Sequence, residues 1–140
     1  GEYIVISLQD VRQHSDSLRV LWRLLEERPS YSNISHDGHL PEWTAHRAHV
    51  ENHSHMGWYL IMADGVPVGA VYITKKGEIG IGILKAHQRK GYATAGIRAV
   101  MAKHPREEYL ANVAPGNQSS ANLFWGLGGD IIQVTFRIKP

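Results

Sequence analysis

The ten residues HQRKGYATAG, numbered 87–96, decide how the rest of the chain is read. Arg89 and Lys90 stand beside Gly91, and small residues follow where a helix begins. The first N–H groups of a helix have no partner within it, and its dipole is positive at that end. A strand, a short loop and a helix start therefore make a site for an anion. Gly91 permits a tight turn and close approach of a ligand to the backbone. Ala93, Ile97, Val100 and Met101 share one helical face, which is expected to be buried. Gly96 costs about 1 kcal/mol relative to alanine in a helix, which points to a close packing contact. The stretch lacks the Lys-Ser/Thr of a Walker loop and the G-x-G-x-x-G of a dinucleotide site. The same residues also fit an ordinary strand-to-helix turn with solvated cations.

Working outward, WYLIMA (58–63), VPVGAVYIT (66–74) and EIGIGIL (78–84) read as three strands joined at Asp64-Gly65 and at KKG (75–77). Upstream, EYIVISL (2–8) reads as a strand and Asp10 as the N-cap of a helix carrying Val11, Leu18, Leu21, Trp22, Leu24 and Leu25. Residues 29–41 read as a loop, and a second helix is expected from about Pro41 to Asn52. Downstream, the helix that opens near Tyr92 runs to Lys103. EYLANVAP (108–115) reads as a strand, QSSANLFWGL (118–127) as a short helix and DIIQVTFRI (130–138) as a last strand. The order β-α-α-β-β-β-α-β-α-β predicts an α/β (α+β) fold, a mixed sheet with helices on its faces.

Composition narrows the class. The 140 residues suit a single domain, 1–140, with one core. At 43% hydrophobic and 20% charged, the chain is globular rather than disordered. No apolar run approaches the roughly 20 residues of a membrane span, and the start lacks the pattern of a signal peptide. There is no cysteine, which removes disulfides, thiolate metal sites and a Cys nucleophile and fits a cytoplasmic setting. A net charge of only +2 with dispersed cations argues against a nucleic-acid partner and for a local pocket that takes a phosphorylated small molecule.

Gln88-Arg89-Lys90-Gly91-Tyr92-Ala93 resembles Q/R-x-x-G-x-G/A, the acyl-CoA pyrophosphate loop of the GNAT N-acyltransferase superfamily. Asn117 to Gly129, NQSSANLFWGLGG, resembles that family's N-x-x-S-x-x-L-x-x-x-x-G segment, and the element order matches over nearly the whole chain. The resemblance implies a GNAT fold with splayed central strands at 78–84 and 108–115. It implies that backbone N–H groups from Arg89 through Lys90, Gly91, Tyr92 and Ala93 to Thr94, together with Gln88, bind the CoA pyrophosphate. It further implies that the backbone around Ile83 pairs with the pantetheine arm and polarises the thioester carbonyl, and that Asn117 bonds that arm or the acyl end; a turn residue after Pro115-Gly116 is the other reading of Asn117. Acetyl-CoA is the expected co-substrate, with no metal.

The implied reaction is attack of an amine on an acyl thioester, for which a base must first remove a proton from the ammonium. Glu78, at the start of the central strand, is the candidate; a plain exposed strand-start residue beside Lys75 and Lys76 is the other reading. The family's usual tyrosine acid falls on Phe124, which cannot donate. The C-terminal hairpin that often shapes the family's acceptor site is expected to be short or absent, with a homodimer completing the site.

Nine histidines are many for this length, and His46, His49, His53 and His55 cluster close to His39. The first three fall at i, i+3 and i+7, and solvated surface, acceptor site and metal site all remain open for them. Trp43, Trp58, Tyr31 and Tyr59 are either walls of an acceptor pocket or core. The expected activity is N-acetyl transfer to a primary amine of a small molecule, such as an amino sugar, polyamine or amino acid. The alternative is a domain that binds acyl-CoA without turnover, as a sensor or interaction module.

Overall fold

The computed structural model describes residues 3–28 and 40–140. Most of the loop read at 29–41, with Tyr31 and His39, lies outside them. Strand β1 (Ile6–Asp10) is followed by helices α1 (Ser17–Glu27) and α2 (Trp43–Glu51). Strands β2 (Gly57–Ala63), β3 (Val66–Ile73) and β4 (Ile79–Ile83) come next, then α3 (Tyr92–Lys103) and α4 (Gln118–Gly126). The four strands form one antiparallel sheet in the order β1-β2-β3-β4. Asp64 and Gly65 make the β2–β3 turn with φ of 49° and 81°, the left-handed pair that a two-residue hairpin requires.

Alternation along β2 splits the core in two. Tyr59, Ile61 and Ala63 join Val71, Ile73, Ile79, Ile97 and Val100 on the α3 side. Leu60 and Met62 join Val11, Leu21, Val50 and Ala70 on the side of α1 and α2. The close packing expected at Gly96 is against β2, where an added Cβ would collide with Ile61 Cδ1.

Three expectations change. Asp10 does not cap a helix. Val11 N–H continues the sheet by bonding the Trp58 carbonyl at 3.1 Å, and Asp10 Oδ1 accepts from Arg12 N at 2.8 Å. Turns therefore occupy residues 11–16, and α1 begins only at Ser17. Residues 108–115 make no strand beyond a single parallel bridge between Glu78 and Leu110. Leu110 donates to the Gly77 carbonyl at 2.9 Å and accepts from Ile79 N at 2.8 Å, and no further bridge joins the two segments. Among the described residues that bridge is the one parallel contact beside the antiparallel sheet, and the segments separate beyond it. Residues 130–138 form no strand within the chain, although their composition favours one. β-propensity records a fit to a pleated, half-buried surface, and these residues have no such neighbour here.

Candidate active site

The anion corner is assembled by the end of β4 and the start of α3. Pairing with β3 ends where Leu84 N donates to the Val68 carbonyl, 2.9 Å away. A 3-10 turn over Lys85–His87 follows. Glu27 Oε1, at the end of α1, accepts from Lys85 N at 2.9 Å and ties this turn to the helix. Gln88 Nε2 reaches back to the Ile83 carbonyl at 3.0 Å, so two residues singled out in the sequence meet. Arg89 has φ of 64° and Gly91 φ of 84°. A non-glycine residue held in that region costs on the order of 1–3 kcal/mol and persists where the surroundings demand it. Gly91 is the N-cap of α3, no side chain caps that helix, and no acid lies in its first turn. The first internal bond runs from Ala95 N to the Gly91 carbonyl at 3.1 Å. The N–H groups of Tyr92, Ala93 and Thr94 precede it and point out of the helix end, beside the cations Arg89 and Lys90. Nothing lies within 4 Å of where a Gly91 Cβ would stand.

β4 connects this corner to Glu78. Glu78 and Leu84 turn their main-chain groups toward β3. By alternation Ile79, Ile81 and Ile83 turn theirs to the outer edge, where Ile79 N–H is taken by Leu110. The isoleucine side chains pack on the α3 side. The opposite face of β4 carries Gly80 and Gly82. The Tyr72 ring lies over Gly80, and Leu24 over Gly82. Burial raises the Tyr72 phenol above its ordinary value; the Glu78 charge adds to that shift and Arg28 opposes it.

Glu78 is gripped from both sides. Thr74 Oγ1 donates to Oε1 at 3.3 Å, and Asn112 Nδ2 donates to Oε2 at 2.8 Å. Thr74 Oγ1 in turn accepts from Glu78 N at 3.0 Å. Along the strand, Glu78 and Ile83 stand about 17 Å apart at roughly 3.3 Å per residue. Asn117 caps α4, its Oδ1 accepting from Ser120 N at 3.1 Å. Phe124 packs against the core on the α3 side. A cavity of about 310 Å³ lies between the β1–α1 turn and α2, near Arg12, Ser17 and Glu51. None of the residues above lines it, and the anion corner is instead an open angle of the surface.

The histidines divide. His46 is not on the solvated surface. It is buried, its Nε2–H donates to the Leu18 carbonyl at 3.0 Å, and Trp22 and Trp43 flank it at 5.3 and 5.5 Å. His49, His53 and His55 surround Trp58, with ring centroids 5.6, 5.3 and 5.4 Å away. His55 also stacks on Tyr72 at 4.4 Å. Burial lowers the pKa of His53 and of His55, and neighbouring cationic or histidine groups lower both further. Among the described residues no three His, Cys, Asp or Glu groups converge to hold a metal. Tyr59 is no pocket wall: it is core on the α3 side, its hydroxyl hydrogen-bonded to His104 Nε2 at 2.6 Å.

Thr74, Asn112 and Tyr72 escaped the sequence reading. Thr74 carried a faint signal, four residues before Glu78 across the Gly77 turn. Asn112 carried none, because its partner lies 34 residues away and meets it only through the parallel bridge.

The sequence profile of the acetyltransferase (GNAT) family matches residues 18–128. No curated protein matches the chain. Among solved structures, an aminoglycoside N-acetyltransferase in complex with CoA is 21% identical, with a TM-score of 0.68 over 99% of this chain and 96% of that one. A ribosomal-protein-alanine N-acetyltransferase from Brucella melitensis biovar Abortus 2308 is 15% identical, with a TM-score of 0.67 over 98% and 99%. A Vibrio cholerae integron cassette protein is 11% identical, with a TM-score of 0.70 over 100% and 94%. At these identities the likeness is one of fold.

Proposed function

The chain belongs to the acetyltransferase (GNAT) family, and on that premise we propose that it transfers an acetyl group from acetyl-CoA to a primary amine of a small-molecule acceptor. One observation carries this reading: the start of α3 has no side-chain cap, follows left-handed Arg89 and Gly91, and adjoins the outer edge of β4. A diphosphate fits the first, because unpartnered N–H groups and the helix dipole both favour negative charge. An extended pantetheine arm fits the second, because Ile81 and Ile83 turn main-chain groups to that edge, as a strand does for an added neighbour. Gln88 holds the Ile83 carbonyl and so fixes the end of that edge.

The chemistry then falls to the residues around β4. An amine attacks only after its ammonium loses a proton. Its lone pair adds to the thioester carbonyl carbon, the C–S bond breaks, the nitrogen gives up its second proton to water or to the departing thiolate, and an amide and free CoA result. Glu78 is the proposed base. Each carboxylate oxygen offers two lone pairs, so the donors Thr74 and Asn112 orient the group and leave it able to take the proton directly or through water. Main-chain N–H groups of β4 stabilise the oxyanion as it forms. With Phe124 at the position of the usual acid, the thiolate leaves without a protein donor; a thiol of pKa about 8.5 permits this. Trp58, Tyr72 and His55 form the aromatic side of the acceptor site. Amino sugars, polyamines and amino acids are the acceptor classes to screen.

Thermal unfolding with and without acetyl-CoA tests the binding step. Ligand at 100 times its dissociation constant stabilises by about 2.7 kcal/mol, a clear rise in Tm. No rise counts against the reading. Binding without CoA release across an amine panel favours the sensor alternative, which Phe124 also supports.

A further inference from the structure

α1 begins uncapped, beside a cavity that the acetyl-transfer chemistry does not use. Its N-cap position is Asp16, whose side chain makes no capping bond, and no acid lies in its first turn. Ser17 N bonds the His14 carbonyl at 3.3 Å and Val20 N the Asp16 carbonyl at 3.0 Å. Between them, among the described residues, the N–H groups of Leu18 and Arg19 have no acceptor. Ser17, the first residue of the helix, is 2% exposed, and its Oγ has no partner either. In a helix the Cα–Cβ bond tilts toward the N-terminus, so this hydroxyl is turned to the same end as the free N–H groups. A buried hydroxyl without a hydrogen bond is unfavourable and rare in folded proteins.

That end of α1 meets the cavity of about 310 Å³ between the β1–α1 turn and α2, and Ser17 and Leu18 form part of its wall. The volume is at the lower end of the roughly 300–1,000 Å³ of small-molecule sites. Val11 and Val50, both core residues, make the wall apolar together with Leu18. Arg12, also in the wall, is a fixed cation. Its Nε donates to the Glu51 carbonyl at 3.1 Å and its Nη2 to the His53 carbonyl at 2.6 Å. Both partners are neutral, and among the described residues no carboxylate pairs with that guanidinium. His14 Nδ1 accepts from Asp16 N at 3.0 Å, which leaves the ring proton of the neutral form on Nε2. The acids nearby are spoken for or turned away. Glu51 Oε1 pairs with Arg47 Nε at 3.4 Å, and Asp16 is exposed and outside the wall.

We propose that this cavity binds a small organic carboxylate, its anionic head at the start of α1 and its apolar body against Val11, Leu18 and Val50. The free N–H groups and the helix dipole favour negative charge there, and Arg12 adds a full positive charge held in place by two carbonyls. One cation and one helix end match a single negative charge. A phosphate carries more, and would bring it against Glu51. Ser17 Oγ donates to the carboxylate, so the bound molecule satisfies the hydroxyl that the chain leaves unpaired. The site lies at the opposite end of α1 from Glu27 and the Lys85 turn. It is therefore separate from the corner before α3 and does not depend on the acetyl-transfer reading.

Residue-resolved NMR of the full isotope-labelled chain, titrated with sodium butyrate at constant ionic strength, tests this. The amides of Leu18, Arg19 and Val50 are expected to shift saturably. Acetate, two methylenes shorter, should bind about tenfold more weakly, and inorganic phosphate should also bind more weakly than butyrate. Ser17→Ala should weaken butyrate about tenfold. It should not lower the Tm of the free protein, because the hydroxyl it removes has no partner to lose. Arg12→Gln should weaken butyrate as well, and Ser17→Ala keeps the test decisive where loss of the Arg12 clamp unfolds the turn. The proposal is overturned if Leu18 and Arg19 show no saturable shift, or if the shifts are confined to Tyr92, Ala93 and Thr94. Phosphate or acetate binding as tightly as butyrate overturns it too, as does unchanged butyrate affinity in Ser17→Ala.

Discussion

The two faces of β4 have opposite characters. Ile79, Ile81 and Ile83 point into the core beneath α3, while Gly80 and Gly82 on the other face leave room for the Tyr72 ring and for Leu24. One strand thus anchors α3 on one face and, on its reverse, gives up its own side chains to seat the Tyr72 ring and Leu24. Stability and chemistry are separated by the alternation of a five-residue strand. Substitutions beneath α3 should change stability, and those at Glu78 or at the corner before α3 should change turnover or binding.

The largest effect is expected at the corner where the two faces end. Gly91→Glu places a carboxylate against the helix N-terminus and gives a side chain to a residue at φ of 84°. Acetyl-CoA affinity should fall at least about 100-fold, roughly 2.7 kcal/mol, measured by isothermal titration on folded protein. The space around that Cβ is open, so the fold should survive. Normal affinity in a folded variant would remove the pyrophosphate assignment.

Next is Glu78→Gln, which keeps the shape of the side chain and removes the base. General base catalysis contributes about 10²–10⁴, so kcat should drop by about two orders of magnitude. Acetyl-CoA binding and Tm should stay near wild type. An unchanged pH–rate profile would argue that Glu78 is not the base.

The packed side responds differently. Gly96→Val drives a branched side chain into Ile61, whose Cδ1 lies only 2.4 Å from the position of a Cβ. Overpacking of this kind costs about 1–3 kcal/mol, read as a lower denaturant midpoint. Coenzyme affinity per folded molecule should hold. A loss of affinity without loss of stability would erase the division between the two faces.

How legible these regions were follows from the range of their contacts. α3 was read to its observed ends, because Gly91, the small first turn and the Ile97–Val100 stripe are all local. The hairpins were legible through Asp64-Gly65 and Gly77. Asp10 misled because a capping residue and an Asx turn look alike until Val11 is seen to pair with Trp58. The strands read at 108–115 and 130–138 depended on partners that no local pattern specifies. The grip on Glu78 was invisible for the same reason, since Asn112 reaches it only through the Leu110 bridge. His46 looked like part of a polar face, yet Leu18 and two tryptophans across α1 and α2 make it core.

The smallest effect concerns pH, and it too separates the two faces. On the α3 side, the Tyr59 hydroxyl and His104 Nε2 share a hydrogen bond of 2.6 Å. Burial raises the tyrosine above its ordinary 10.0, helped by Asp10. Burial lowers the histidine below its ordinary 6.5, helped by Lys103. Both shifts favour the neutral pair. On the other side His53 and His55 are lowered as well, chiefly by burial. A lowered histidine binds fewer protons folded than unfolded, so its contribution is complete above 6.5 and is lost as pH falls below that value. A raised tyrosine holds its proton longer folded than unfolded, so its contribution is complete below 10 and is lost as pH rises beyond it. Stability should therefore show a plateau between these limits with a shallow decline on each side, measured by urea unfolding from pH 5 to 11. His104→Gln keeps an acceptor for Tyr59 and should flatten part of the acid decline while leaving the alkaline one. His53→Gln with His55→Gln should flatten the rest, because those rings belong to the other face and titrate apart from His104. An acid decline unchanged in the triple variant would assign it to carboxylates instead and leave both histidine groups without a part in it.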